Sequence, residues 1–463
     1  MSTGFDPDLL ARYDRPGPRY TSYPSALQFV PGFTEVDFRR HARRSNEEPI
    51  PRDLSLYVHV PYCFSPCFYC GCNRIITRDY GRAAPYTERV MRETERVAAL
   101  FDRSRELVQV HFGGGTPNFL RADLIERMLT GFGRHFHFTS RPDRDFSIEL
   151  DPRTVRDGEI AAYAAMGFNR ASLGVQDFDR TVQLAINREQ SVEQTLGVID
   201  DCRRHGFRSV NVDLIYGLPK QHRLGFGNTL DIVLRARPDR IAIYGYAHMP
   251  QVFKAQKQIV EADLPDAARR VELLSLATEK LTAAGYLHIG LDHFALPADD
   301  LGVALANRGL HRNFMGYTTH ADCDLIGLGV SSISHVGDSY SQNYRDLTEW
   351  EIAVDQGRLP TWRGIQLSED DLIRADVIQQ IMCRGEVDIR RIEDRYDLSF
   401  AEYFVDACFG LEPLAAEGLV ELTPERLVVS SRGRLLLRMI AMCFDRYLQT
   451  PAQGERQRHS RVL

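Results

Sequence analysis

No apolar run in the chain approaches the length needed to cross a bilayer, so no spanning segment is expected. There is no basic excess either. The 57 lysines and arginines face 63 aspartates and glutamates, a formal net charge of −6, which excludes a general nucleic-acid binder with its positive stripe. The opening Met-Ser-Thr-Gly-Phe-Asp lacks the charged and apolar regions of a secretory signal. The nine cysteines, an odd number, fit a disulfide framework poorly, and the expected compartment is the reducing cytoplasm. What remains is ordinary in bulk: 463 residues, 43% hydrophobic and 26% charged, enough for one large α/β domain and a smaller appendage.

The unusual feature is local. Cys63, Cys67, Cys70 and Cys72 crowd into ten residues, and the C-x3-C-x2-C spacing of the first three lets thiolates converge on one soft metal centre from a single loop. A structural zinc site is one reading, but zinc usually draws two separated cysteine pairs and no distant second pair is evident. Three ligands from one loop suit an iron-sulfur cluster with one iron left open to another ligand.

Around this loop one alternation repeats. Short apolar runs at Leu54 to Val60, Leu107 to Phe112, Asp145 to Leu150, Arg170 to Val175, Ser209 to Ile215 and Arg240 to Gly245 read as buried parallel strands. Between them lie segments of helical period, such as Pro85 to Leu100, Leu120 to Phe136 and Val192 to His205. This predicts an α/β fold with a partial (β/α)6 barrel, whose chemistry sits at the C-terminal strand ends. Those ends carry Gly113-Gly114-Gly115-Thr116-Pro117, then Glu149, Gln176, Asp213 and Ala247, and the cysteine loop follows the first strand. Singly, the glycines are a turn and the carboxylates are caps or ion-pair partners. Together they favour one shared cavity for a small molecule.

These residues closely resemble the radical S-adenosylmethionine (SAM) superfamily. Over nearly the whole chain they resemble one family within it, the oxygen-independent coproporphyrinogen III oxidases. The further matches are Pro18-Arg-Tyr-Thr-Ser-Tyr-Pro24, Gly71-Cys72-Asn73, Gly174 to Phe178, Asn187-Arg-Glu-Gln190, Asp213 to Pro219, His311-Arg-Asn-Phe314 and Gly316-Tyr-Thr-Thr319. The resemblance implies that Cys63, Cys67 and Cys70 ligate a 4Fe-4S cluster whose fourth iron chelates SAM. At each of two propionates of coproporphyrinogen III a 5′-deoxyadenosyl radical would then take one hydrogen, and loss of carbon dioxide and one electron would leave a vinyl group, giving protoporphyrinogen IX. Two SAM molecules are implied. Tyr57, Gly114, Glu149 and Ile333 match contacts to the first; Tyr69, Gly115, Thr116, Gln176, Arg188, Asp213 and Ala247 match contacts to the second.

Cys72 is expected to be no ligand but to stand near the second SAM or the substrate. Arg19 and Arg312 are candidates for the substrate's carboxylates, Arg312 together with Cys72 being the expected catalytic pair. Tyr20 and Tyr23 either close over a flat macrocycle or pack in the core. The resemblance further implies a low-potential electron donor, an electron acceptor that the sequence does not identify, and a monomer. It divides the chain into an N-terminal extension (1–54), the barrel and its extension (55–364), and a mostly helical C-terminal part (365–463). In the last, Glu369 to Arg384, Phe400 to Glu417 and Arg432 to Gln449 read as helices, with a hairpin at 418–430 and a loosely ordered Glu455 to Arg461. A haem chaperone of the same superfamily is the alternative, but such relatives are shorter and typically lack the Pro18 to Pro24 and Gly-Cys-Asn motifs.

Overall fold

The computed structural model describes Leu9, Arg12, Tyr13 and residues 15–449; the Glu455 to Arg461 segment lies outside the described residues. Six parallel strands form its centre: β1 (Asp53–Val60), β2 (Glu106–Gly114), β3 (Asp145–Leu150), β4 (Arg170–Gln176), β5 (Ser209–Tyr216) and β6 (Arg240–Gly245). They lie side by side in chain order, β1 next to β2 and so on to β6. Leu54, Leu56, Val58 and Val60, which alternation puts on one face of β1, are each at most 1% exposed. The covering helices include α1 (Ala83–Ala98), α2 (Ala122–His135), α3 (Glu159–Ala165), α4 (Val192–Arg204), α5 (Arg223–Ala236) and α6 (Ala267–Ala283). α4 begins where the Ser191 side chain accepts from Gln194 N–H, and α6 where Asp266 caps Arg269 N–H.

The barrel is open. Beyond β1 the sheet gains a seventh parallel strand, Cys323–Leu328, in register from Asp53 opposite Cys323 to Val58 opposite Leu328. It then runs antiparallel through Ile333–Val336, Ser339–Asn343 and Thr361–Gln366. Beyond β6 come His293–Ala295 and Leu287–Gly290, also antiparallel. The expected partial barrel with a helical C-terminal part is what the chain adopts. Among the described residues no helix is long and apolar enough to cross a membrane.

The C-terminal part departs from the expected pattern in two places. The segment read as one helix from Phe400 to Glu417 breaks at Phe404 into Phe400–Tyr403 and Val405–Ala416. Phe404 has left the helical region at φ −106°, ψ 30°, where its ring packs among Phe400, Tyr403 and Phe444. The segment from Arg432 to Gln449 is likewise three pieces, Gly433–Leu436, Leu437–Met442 and Arg446–Gln449. Glu369–Arg384 is one helix, with a Ser368 capping box at its start and Gly385 at φ 66° at its end.

The N-terminal extension is clasped by this C-terminal part. Tyr20 donates its hydroxyl proton to Asp445 (3.0 Å), Arg438 donates to the carbonyls of Pro18 (2.9 Å) and Gly17, and Arg446 N–H donates to the Tyr23 hydroxyl (3.2 Å). Tyr20 and Tyr23 are 4% and 3% exposed, and both also line a cavity of about 480 Å³ with Arg312 and Phe314.

Candidate active site

The cysteine loop is shaped by the chain around it. Tyr62–Cys63 pairs in parallel with Ile75–Ile76 and closes the loop at its base. Arg74 reaches back to the carbonyls of Cys70 (2.9 Å) and Cys67 (3.0 Å). From outside, Asn187 donates to Pro66 O, Phe68 N–H to Ile186 O, and Gln256 to Tyr69 O. Under the loop runs the glycine turn that ends β2. Gly114 has φ 118°, and a Cβ there would lie 2.8 Å from the His59 ring; a Cβ on Gly115 would lie 2.9 Å from the Pro61 carbonyl. Only glycine lets the two backbones approach so closely.

Each of the three thiols in the C-x3-C-x2-C spacing accepts a hydrogen bond. Thr116 donates to Cys63 Sγ (3.3 Å), Arg188 to Cys67 Sγ (3.4 Å) with Arg153 at 3.7 Å, and the Cys72 backbone N–H to Cys70 Sγ (3.4 Å). Such donors stabilise thiolates. Cys70 is drawn down to about 6, first by its hydrogen bond with Cys72 and also by Arg74, while burial pushes Cys63 up to about 12. Among the described residues no three His, Cys, Asp or Glu side chains are gathered tightly enough to hold one metal ion. Cys63, Cys67 and Cys70 all line one cavity, as ligands of a shared cluster would.

That cavity, of about 250 Å³, lies over the C-terminal ends of β2 to β5. Cys63, Cys67, Cys70 and Cys72 line it together with Tyr69, Gly114, Gly115, Thr116, Glu149, Gln176, Arg188 and Asp213. A second, of about 310 Å³, is lined by Tyr57, Gly114, Glu149 and Ile333, with His59, His111, Phe314 and Met315. Cys72, Gly114 and Glu149 border both. The two groups of residues separated by the resemblance thus fall on two adjoining cavities. Ala247 lines neither; its carbonyl shares the Gln256 amide with Tyr69 O. Arg312 stands apart from both, on the hairpin His311–Asn313 with Gly316–Thr318.

Within the cavities the polar groups are held from behind. Glu149 accepts from Gly114 N–H (3.1 Å) and meets His111 Nε2 (3.3 Å), whose Nδ1 meets Ser147 Oγ (2.8 Å). Tyr57 stacks on that imidazole at 5.8 Å and its hydroxyl meets His59 Nδ1 (3.1 Å). Asp213 accepts from Ser172 (3.1 Å) and Asn211 (2.8 Å); burial, then the Glu149 charge, raise its carboxyl to about 6. Arg188 is 6% exposed, donates to Gly174 O (2.6 Å) and faces Asp151 at 3.4 Å, which Arg153 also holds at 2.7 Å. Gln176 sits at a bulge between β4 and β5 with φ 70°. The Asp151–Arg153 ion pair, Arg74 and the two histidines, His59 and His111, were not foreseen.

Comparison with known proteins agrees with this geometry. Residues 57–232 match the radical SAM superfamily and residues 367–436 the HemN C-terminal domain. A protein of Pseudomonas aeruginosa named oxygen-independent coproporphyrinogen III oxidase is 45% identical over 99% of both chains. The chain belongs to the oxygen-independent coproporphyrinogen III oxidase family. Another member, from Salmonella typhimurium, is 44% identical over 99% of this chain and 98% of its own. The solved structure of coproporphyrinogen III oxidase from Escherichia coli, described as a radical SAM enzyme, superposes with a TM-score of 0.89 at 44% identity, covering 93% of this chain and 97% of that one. Membership of the superfamily implies a 4Fe-4S cluster and SAM, which the thiol donors described above fit.

Proposed function

We infer that the protein is an oxygen-independent coproporphyrinogen III oxidase, which converts two propionates of coproporphyrinogen III to vinyl groups in porphyrin biosynthesis. The observation that carries the reading is the single cavity in which Cys63, Cys67 and Cys70 meet Glu149, Arg188 and Asp213 from the strand ends. When bound, the cluster supplies the electron that cleaves SAM to methionine and the hydrogen-abstracting deoxyadenosyl radical.

The chain's own residues hold and orient. Cys63, Cys67 and Cys70 would carry the cluster, with Thr116, Arg188, Arg153 and the Cys72 amide donating hydrogen bonds to their sulfurs. Glu149, fixed by Gly114 N–H and His111, offers a carboxylate to the amino group of a first SAM, beside Tyr57, Gly114 and Ile333. A second SAM would lie against Tyr69, Gly115, Thr116, Gln176 and Asp213, with Ala247 behind. Arg188, whose two Nη groups already hold Cys67, Gly174 and Asp151, brings its positive charge to that molecule's carboxylate. Its Nε is buried with no hydrogen-bond partner among the described residues, which supports the assignment. Cys72, exposed and bordering both cavities, is left free to work on substrate rather than on iron.

Segment 55–364 would carry the chemistry, with 1–54 and 365–463 forming its cover. Turnover needs a low-potential donor and a separate electron acceptor, and we propose a monomer working in the cytoplasm. The test is an anaerobic assay of iron-reconstituted protein with coproporphyrinogen III, SAM and a low-potential reductant, with Cys67→Ala as control. Protoporphyrinogen and 5′-deoxyadenosine are expected from the wild type only. Haem binding without decarboxylation would favour a chaperone, a reading that the full-length likeness to the oxidases opposes.

A further inference from the structure

Three segments remote in sequence converge above the end of β6. Arg19, from the N-terminal extension, pairs with Asp292 and lies over the Tyr244 ring, 5.4 Å from its centroid. Arg438, from the C-terminal part, holds the carbonyls of Gly17 and Pro18. Arg312 stands over the ring of Tyr317, its cross-strand partner, at 4.7 Å. It is 5% exposed, and its Nε and Nη1 are buried with no hydrogen-bond partner among the described residues.

A buried guanidinium normally has a carboxylate or several carbonyls to replace its lost water. The stacked Tyr317 ring returns only part of that loss, and its hydroxyl is already committed to Met382 O (2.9 Å). Asp292 is engaged by Arg19. His293, whose own Nδ1 is unpartnered, is held neutral by burial and by Arg312, and supplies no negative charge. Arg312 lines a further cavity, of about 480 Å³, with Tyr20, Tyr23 and Phe314, and Phe314 also borders the cavity of Tyr57 and Glu149.

We propose that Arg312 is a substrate-positioning residue that binds a carboxylate, one propionate of the tetrapyrrole, and completes its pairing only when the macrocycle is seated. The proposal rests on the decarboxylase reading. A carboxylate in this place has two sources, a substrate propionate or the amino-acid end of SAM. The propionate is favoured because Arg188 already brings a positive charge to the cysteine-lined cavity, which Arg312 does not line.

The experiment uses reconstituted holoenzyme and the variants Arg312→Gln and Arg312→Lys. Binding of coproporphyrin III, of its tetramethyl ester and of SAM is measured by anaerobic fluorescence titration or calorimetry. Arg312→Gln is expected to weaken coproporphyrin III at least tenfold, with Arg312→Lys restoring part of the loss. The ester, which has no charge to pair, should bind wild type and variant alike, and SAM affinity should not move. Thermal stability without porphyrin should hold or rise in Arg312→Gln, since an unpaired buried charge has been removed. A marked fall in stability would assign Arg312 to structure and overturn the proposal. So would unchanged porphyrin affinity, or a loss confined to SAM. Failure of the wild type to decarboxylate coproporphyrinogen would instead sink the functional reading and leave the binding result standing.

Discussion

At the N-terminal ends of β3, β4, β5 and β6 stand Asp145, Arg170, Ser209 and Arg240, each the first residue of its strand. Arg170 reaches Asp145 (3.2 Å) and Asp300, Arg240 reaches Asp299 (2.8 Å), and Ser209 donates to Asp299 (2.7 Å). At the other ends of the same strands stand Glu149, Gln176 and Asp213. There the charges are braced from behind by neutral groups, Gly114 N–H, Ser172 and Asn211, and two carboxylates repel each other across a cavity. The same residue types close one end of the barrel and leave the other incomplete. The closed end holds the strands together; the incomplete end awaits cationic and anionic ligands.

Three substitutions sharpen that contrast. The largest effect is expected at the incomplete end. Asp213→Asn should lower SAM-dependent turnover by about a hundredfold, about 3 kcal/mol of transition-state stabilisation, without lowering stability. The pH dependence carries the sign. The Asp213 carboxyl is raised to about 6 in the fold, so the folded state keeps its proton where the unfolded chain has lost it. Wild-type stability from this group therefore falls as pH rises from the ordinary carboxylate value towards 6, and the Asn variant should show a flatter melting profile there. A cationic ligand favours the ionised form, so wild-type SAM affinity should climb through pH 6 and the variant's should not.

At the closed end, Asp299→Ala leaves Arg240 and Arg170 buried with fewer partners. It should cost about 3 to 5 kcal/mol of stability, read as a lower unfolding midpoint in denaturant. Turnover of the protein that remains folded should stay within about twofold of wild type, because no residue touching the cavities has moved. A large loss of turnover at unchanged stability would break the division between the two ends. The smallest effect is expected for Cys72→Ser: iron content per chain should be unchanged, since the backbone N–H that donates to Cys70 remains and serine keeps a side-chain donor there. A fall in iron matching that of Cys70→Ser would make Cys72 a ligand.

Much of this was legible in the sequence. The six strands were readable because strands buried on both faces are continuous apolar runs bounded by turns. Cys323–Leu328 escaped notice because it follows a hairpin, outside the strand-helix rhythm, yet it is the neighbour that covers β1 from the other side. The cysteine spacing and the strand-end carboxylates were readable for the same local reason. The Asp151–Arg153 pair that faces Arg188 was not, because both residues come from a turn where alternation no longer tells which way a side chain points. The break at Phe404 was hidden too: nothing local forbids helix there, and the ring's packing against Phe444, forty residues on, decides it.

The clasp between the chain's two terminal regions sets an order of events in synthesis. Tyr20 leaves the ribosome early, but its bond to Asp445, and Arg438's grip on Gly17 and Pro18, cannot form until the last turns have been translated. Domains fold as they emerge, so every strand and the whole cysteine loop are made while the two ends of the chain are still unjoined.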